Sequence, residues 1–598
     1  MPKIASVLTG RFAVVAAVAS AMLLGPAMIA GSVPLHAEGK ADFQFGPKAF
    51  STLGPESGSF SGSYLAGRLA GSQGDAPAAA EFYRSALAAD PNNLALLDRA
   101  FTLSVVAGDV EAAADLAARV AEQDESHLLA RLTLAAEAVK RDRLDTAADL
   151  AEKPGQGPLA ELTIRILQAW IQYGQGQVDE ALATIEGLQG PDWYKVFKPH
   201  HRGLIAELAG RDDLADAAFA EAYASDPGAL RVVQAQVRRL MLAGRSDEAR
   251  AIADEFVERV PNHPLTIELR RLLESGEVPE PLVTSVAGGL AELLYGLGSA
   301  LGSDSAEEYA ASYVQLALYL EPGNALARFT LADFYERLKD YNAAAAAYEG
   351  VGEKSPLYDT AQVHRALVLN AAEKPEEAQQ VLEAVVARNP EALDAVVALG
   401  NIQRAREMFD EARETYTRAI DETEARGEEN WTLYYFRGIA NERTKRWDEA
   451  ETDLKRALEL QPGHPLVLNY LGYSWIDQGI NLQEGLEMIT EAVEARPNDG
   501  YIVDSLGWAY YRLGEYDEAV EHLERAVELM PQEAVINDHL GDAYWRIGRR
   551  LEAKFQWSHA LDLDMSDEPG LEEKIRKKLV EGLTDEEESP AAVARDTE

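Results

Sequence analysis

The chain has 598 residues, no cysteine, and 100 acidic against 56 basic side chains, a formal net charge of −44 at 47% hydrophobic content. A surface this acidic repels phosphate backbones and anionic headgroups, which argues against nucleic acid as a partner and against charge-driven docking on a membrane. Without cysteine there is neither a disulfide nor a lipidated cysteine, so stability must come from packing alone.

In chain order, Lys3 and Arg11 precede an uncharged run, Phe12 to Leu35, that is apolar as far as Ala30 and ends in Leu35-His36-Ala37. The pattern predicts a secretory signal cut after Ala37, with an uncleaved inner-membrane anchor as the alternative. The expected location is therefore outside the cytoplasm, in the periplasm. Residues 38–59 are rich in Gly, Ser and Pro and have no helical period, as expected of a flexible lead.

From Phe60 to His263 a helical pattern recurs. Gly67, Phe101, Ala135, Ala169, Gly203 and Val237 are spaced 34 apart, each followed by a matching alanine: Ala79, Ala113, Ala147, Ala181, Ala215 and Ala249. Residues 264–290 break the register with an isolated amphipathic helix, Leu265 to Leu273, and the stretch SGEVPEPLVTS, predicting a hinge between two arrays. The pattern resumes over 291–567 with four extra residues near Gly427 and one more before Gly507. Leu571, Ile575 and Leu579 then share one face of a capping helix, with Lys and Arg on the other. Residues 584–598 form an acidic tail expected to be disordered.

The strongest unit is Gly500 to Glu533. Val503, Leu506 and Tyr510 predict one helix, Val520, Leu523, Ala526 and Val527 a second, with Gly514 between them and Pro531 as a stop. Gly507 and Ala519 leave room for the two backbones to approach. Leu506-Gly507, Tyr510, Ala519, Leu523, Ala526 and Pro531 resemble the 34-residue tetratricopeptide repeat (TPR). That resemblance implies an all-α solenoid, a right-handed superhelix of about fourteen hairpins in two arrays, in which each hairpin is stable only against its neighbours. It also implies a concave groove, lined by the first helix of each repeat, that takes extended peptides or partner segments.

Chemistry is sparse. The ten histidines show no ligand spacing, and the adjacent pair His200-His201 reads as a surface or groove position. The stretch GLGSALG at 296–302 follows no strand, and Gly298 already occupies the small slot of a repeat. No catalytic constellation, metal or cofactor is expected, and the chain reads as a non-enzyme. What remains is a stripe on the groove face of the last four first helices, where aromatics alternate with Asp or Asn: Tyr435; Asn469 and Tyr473; Tyr501, Asp504, Trp508 and Tyr511; Asp538, Asp542 and Trp545. Rings supply contact area at low entropic cost and the polar groups can meet a peptide backbone, so these ten form the candidate partner site.

Asn469 to Trp557 carries Asn469, Asp477, Asp504-Ser505, Trp508, His539, Trp545 and Arg549, which the generic repeat does not require. This stretch resembles the C-terminal repeats of bacterial envelope TPR proteins, among them lipoprotein adaptors that deliver substrates to carboxy-terminal processing proteases. The resemblance implies an envelope scaffold with such a protease among its partners, although those adaptors carry a lipidated cysteine and this chain has none. An assembly factor for polysaccharide export, secretion or cell-wall synthesis suits the same features.

Overall fold

The computed structural model describes residues 59–260, 263–302, 307–565, 568 and 570–583. The expected signal, the lead up to residue 58 and the acidic tail lie outside the described residues. Among the described residues there are 30 helices and no strand, from Phe60–Ser72 to Leu571–Glu581. The chain is an all-α solenoid of helical hairpins, divided into two compact units at Ala395/Val396.

The turn inside each hairpin explains the period. In thirteen of the described hairpins one residue there adopts a left-handed backbone, at Gly74, Gly108, Asp142, Gly176, Gly210 and Gly244, then at Lys339, Glu373, Glu407, Lys445, Gly479, Gly514 and Gly548. Where Gly is absent, a side chain is carried at positive φ, 56° at Asp142 and 60° at Lys445, at a cost that the hairpin packing must cover. The two insertions fall at helix ends. The four extra residues lengthen the helix Phe409–Arg426, closed by left-handed Gly427, and the single one brings left-handed Asn481 before the helix Leu482–Ala495. The small slot opposite is equally local: a Cβ on Gly507 would stand 2.6 Å from Leu523, and one on Gly541 2.5 Å from Trp557.

In the first unit the hairpins up to Ser246–Arg259 are followed by the lone helix Pro264–Ser275 and then by the glycine-rich helix Val286–Leu301. The latter packs on Leu128–Lys140, Pro158–Gly174 and Tyr194–Leu208, and the next helix, Glu307–Leu320, packs on Leu94–Val106 and Leu128–Lys140. Gly289 lies flat on the Trp170 indole, where a Cβ would stand at 2.3 Å. The Val106 carbonyl accepts from Gln315 Nε2 (3.1 Å) and Tyr335 OH (2.7 Å), and Leu320 O accepts from Lys140 Nζ (3.1 Å). Arg238 donates to the Pro279 carbonyl inside the break itself. The compact-unit boundary thus falls more than a hundred residues beyond the hinge expected at 264–290, because Gly289 and Gly296 give the helix Val286–Leu301 a flat face that docks back on Trp170 and Phe197 of the earlier hairpins.

This docking corrects the reading of His200-His201 as surface or groove. Both are buried, 6% and 1% exposed. His201 Nδ1 accepts from Trp170 Nε1 at 3.2 Å, and burial pushes its pKa down to about 3. His200 Nε2 faces Glu292, whose carboxylate also takes Nη2 of Arg231 at 2.6 Å.

Candidate functional site

The second unit carries the candidate groove on the first helices of its hairpins: Trp431–Arg443, Pro465–Asp477, Gly500–Leu513 and Ala534–Arg546. Because residues three and four apart share a helix face, Asp504, Trp508 and Tyr511 line up on one helix and Asp538, Asp542 and Trp545 on the next. The structure brings these six into one cluster. His539 Nδ1 lies 3.0 Å from both Asp504 oxygens, and its ring is stacked 4.1 Å from Trp508, which in turn stacks 4.7 Å from Tyr511. The Tyr511 hydroxyl accepts from Arg546 Nε at 3.0 Å. Asp542 accepts from Trp557 Nε1 at 2.9 Å, and Trp545 packs 5.4 Å from the Trp557 ring beneath the Arg550 guanidinium.

The four other residues stand apart from this cluster. Tyr435 is buried edge-on to Tyr470, and Tyr473 is half-buried against Ile476 and Leu506. Asn469 is half-buried, and its Oδ1 has no hydrogen-bond partner within the protein. Tyr501 is the exposed member, at 38%.

Three residues that complete the cluster were not among the ten. His539 and Arg546 sit at buried and half-buried helix positions that the stripe skips. Lys578 comes from the last helix, and its position corrects the expectation that the basic residues of that helix lie on its outer face. Lys578 is 9% exposed, and its Nζ donates to Asp538 at 2.9 and 2.7 Å and to Asp542 at 2.7 Å. The signal was its spacing: three residues after Ile575, it shares the buried face rather than opposing it.

Electrostatics follow burial. Burial, with Asp538 adding to it and Lys578 opposing, pushes the Asp542 carboxyl up to about 6. Burial works to lower His539, but Asp504 overrides it and holds the imidazole above its ordinary value. Lys578 is likewise held up by Asp542 and Asp538 against its own desolvation. Chemically, the arrangement is a pair of carboxylates set to receive a cation between aromatic walls. Among the described residues no group of three potential metal ligands converges, and no helix is long and apolar enough to cross a membrane.

Tetratricopeptide repeat family models match residues 325–351, 365–426 and 409–465, and a TPR repeat model matches 507–548, which includes Trp508, Tyr511, Asp538, Asp542 and Trp545. These segments are tetratricopeptide repeats. Among curated proteins, the TPR repeat-containing protein PA4667 of Pseudomonas aeruginosa is 30% identical over 193 residues, 32% of each chain. The BBSome complex member BBS4 of Bos taurus is 25% identical over 197 residues, 32% of this chain and 36% of that one. The matches thus span about a third of the length of these curated relatives. Among solved structures, the APC/C hetero-tetramer Cut9-Hcn1 aligns over 90% of this chain and 98% of that one at 16% identity and a TM-score of 0.36. YrrB, a TPR protein with an unusual peptide-binding site, aligns over 32% and 96% at 22% identity and a TM-score of 0.27. TPR proteins are in general non-enzymatic scaffolds for protein or peptide partners.

Proposed function

We propose that this chain is a non-enzymatic interaction scaffold of the bacterial cell envelope whose C-terminal TPRs receive a basic or neutral protein segment, and that it presents substrates to a periplasmic carboxy-terminal processing protease. The observation that carries the interaction part is the cluster itself: carboxylates of Asp504, Asp538 and Asp542 with the rings of Trp508, Tyr511 and Trp545, drawn from two successive repeats and covered by Ile575 and Lys578 of the terminal helix. The envelope and protease parts rest on the secretory pattern at the N-terminus and on the likeness of residues 469–557 to envelope adaptors.

Full-length chain used as bait in an envelope extract tests both. A retained processing protease supports the adaptor role, whereas an export or wall-synthesis component supports the assembly-factor role instead. Tyr501→Ala should weaken retention at least tenfold with the melting temperature nearly unchanged, because that ring is exposed. Retention indifferent to that change, or no retention at all, would sink the groove reading. Cell fractionation tests the location: chain found only in the cytoplasm would overturn it.

A further inference from the structure

We infer that the groove over the last two repeats is a site for a lysine-bearing amphipathic helix, and that the chain's own Leu571–Glu581 helix occupies this site until such a partner displaces it. The inference rests on the scaffold reading above and names the chemistry of the segment that reading calls for.

The occupant shows what the site accepts. Helix Leu571–Glu581 has two buried side chains, Ile575 and Lys578, one turn apart. Ile575 is fully enclosed in the cluster that includes Tyr511, Leu540 and Trp557, with Trp508, Trp545, Leu571 and Leu579 packed around it. Lys578 enters between Asp538 and Asp542. At the end of the helix Gly582 presses against the Trp545 ring, with room for no Cβ. Glu572, Glu573, Lys574, Arg576 and Lys577 face outward.

A solenoid needs something to cover its last apolar face, and a plain cap would do that with apolar residues. Burying an amine between two carboxylates does not serve that end, since apolar replacement of buried ion pairs is often neutral or stabilising. It does serve recognition, because a helix without the cation leaves Asp538 and Asp542 buried without the lysine that both accept from. The occupant also buries fewer side chains than the other helices around the cluster. Its 11 residues are too few for an isolated helix to persist, and it buries two side chains where the helix Tyr516–Leu529 buries Ala519, Val520, Leu523 and Ala526. The two aspartates face Lys578 and His539, so the cation that the site takes from a helix is the single lysine. A partner helix that brings Lys three residues after Ile or Leu reproduces the resident pair, Ile575 and Lys578, and can take its place.

The test uses full-length chain and, as probe, a synthetic peptide of residues 570–583. Lys578→Glu in the chain sets a third carboxylate against Asp538 and Asp542 and expels the helix, so the probe should bind this variant at least tenfold more tightly than the unaltered chain. The probe carrying Lys578→Glu should bind neither. Faster hydrogen exchange over 571–581 in the variant without any gain in probe binding would overturn the inference, and so would loss of protection spreading through 500–561, since the helix would then be an integral part of the repeats. Should the variant not fold, the unaltered chain still decides. Exchange over 571–581 should run at least tenfold faster than over 534–561 and rise further with excess probe; equal protection refutes displacement. Failure of the scaffold reading looks different: the probe binds the opened chain, yet no envelope protein does.

Discussion

The two compact units close their inner faces by opposite means. In the first, whole helices fold back: Val286–Leu301 and Glu307–Leu320 lie on earlier hairpins with Gly289 against Trp170 and Glu292 between Arg231 and His200. In the second, one short helix does it, with Ile575 and Lys578 buried and Leu571 and Leu579 packed beside them. Both bury charge, Glu292 beside Arg231 and His200 in the first and Lys578 between Asp538 and Asp542 in the second; what differs is the length of chain committed, two helices against one of 11 residues. The contrast teaches that a buried ion pair by itself does not distinguish a permanent contact from a removable one; the length of chain packed around it does.

The contrast is easiest to break at Glu292. Glu292→Ala would leave the Arg231 guanidinium without its carboxylate beside a buried imidazole, and should cost the first unit about 4 kcal/mol in denaturant unfolding. A loss under about 1 kcal/mol would mean that the fold-back is as loosely held as the terminal helix. Next, Trp508→Ala removes the ring stacked on His539 and Tyr511 and should cost the second unit about 3 kcal/mol. An unchanged melting temperature would instead free that ring for partner contact.

The pH dependence separates the units further. A carboxyl raised from 3.8 to about 6 stabilises the fold fully below its unfolded value, and this is lost as pH rises through about 6. His539, also raised, acts in the same sense: its contribution is complete below 6.5 and lost as pH passes its folded value. The melting temperature of the second unit should therefore fall between about pH 4 and pH 6 as Asp542 ionises, by the equivalent of about 3 kcal/mol, and fall further above pH 6.5 as His539 loses its proton, with Asp538, Lys578, His539 and the Trp557 donor as the groups facing Asp542. Asp542→Asn should flatten the part below pH 6; a slope there unaltered by it would move the cause elsewhere. The smallest effect treats both units alike. Glu373→Gly in the first and Lys445→Gly in the second relieve a side chain at positive φ and should each stabilise by up to about 1 kcal/mol, less the added freedom of the unfolded chain.

What could be read from the sequence was what repeats. The small slots at Gly507 and Gly541, the extra residues near Gly427 and the all-helical class follow from contacts within a hairpin or between neighbours, so they leave a period. The fold-back left none, because Val106 meets Tyr335 and His200 meets Glu292 across stretches that occur once. At the groove, pattern positions identified Asp504, Trp508, Asp538 and Asp542 as one stripe, but not that a lysine from the last helix would be buried among them. Long basic side chains usually reach for water, and only the three-residue spacing from Ile575 marked this one.

The carbonyl of Val106 waits for donors that lie 209 and 229 residues further along the chain. At ribosomal speeds of about 5 to 20 residues per second, that is an interval of roughly 10 to 40 s. Throughout it, the inner faces of the earliest hairpins stand finished but uncovered, so a nascent chain of this protein spends much of its synthesis as a client for any chaperone that holds exposed apolar helices.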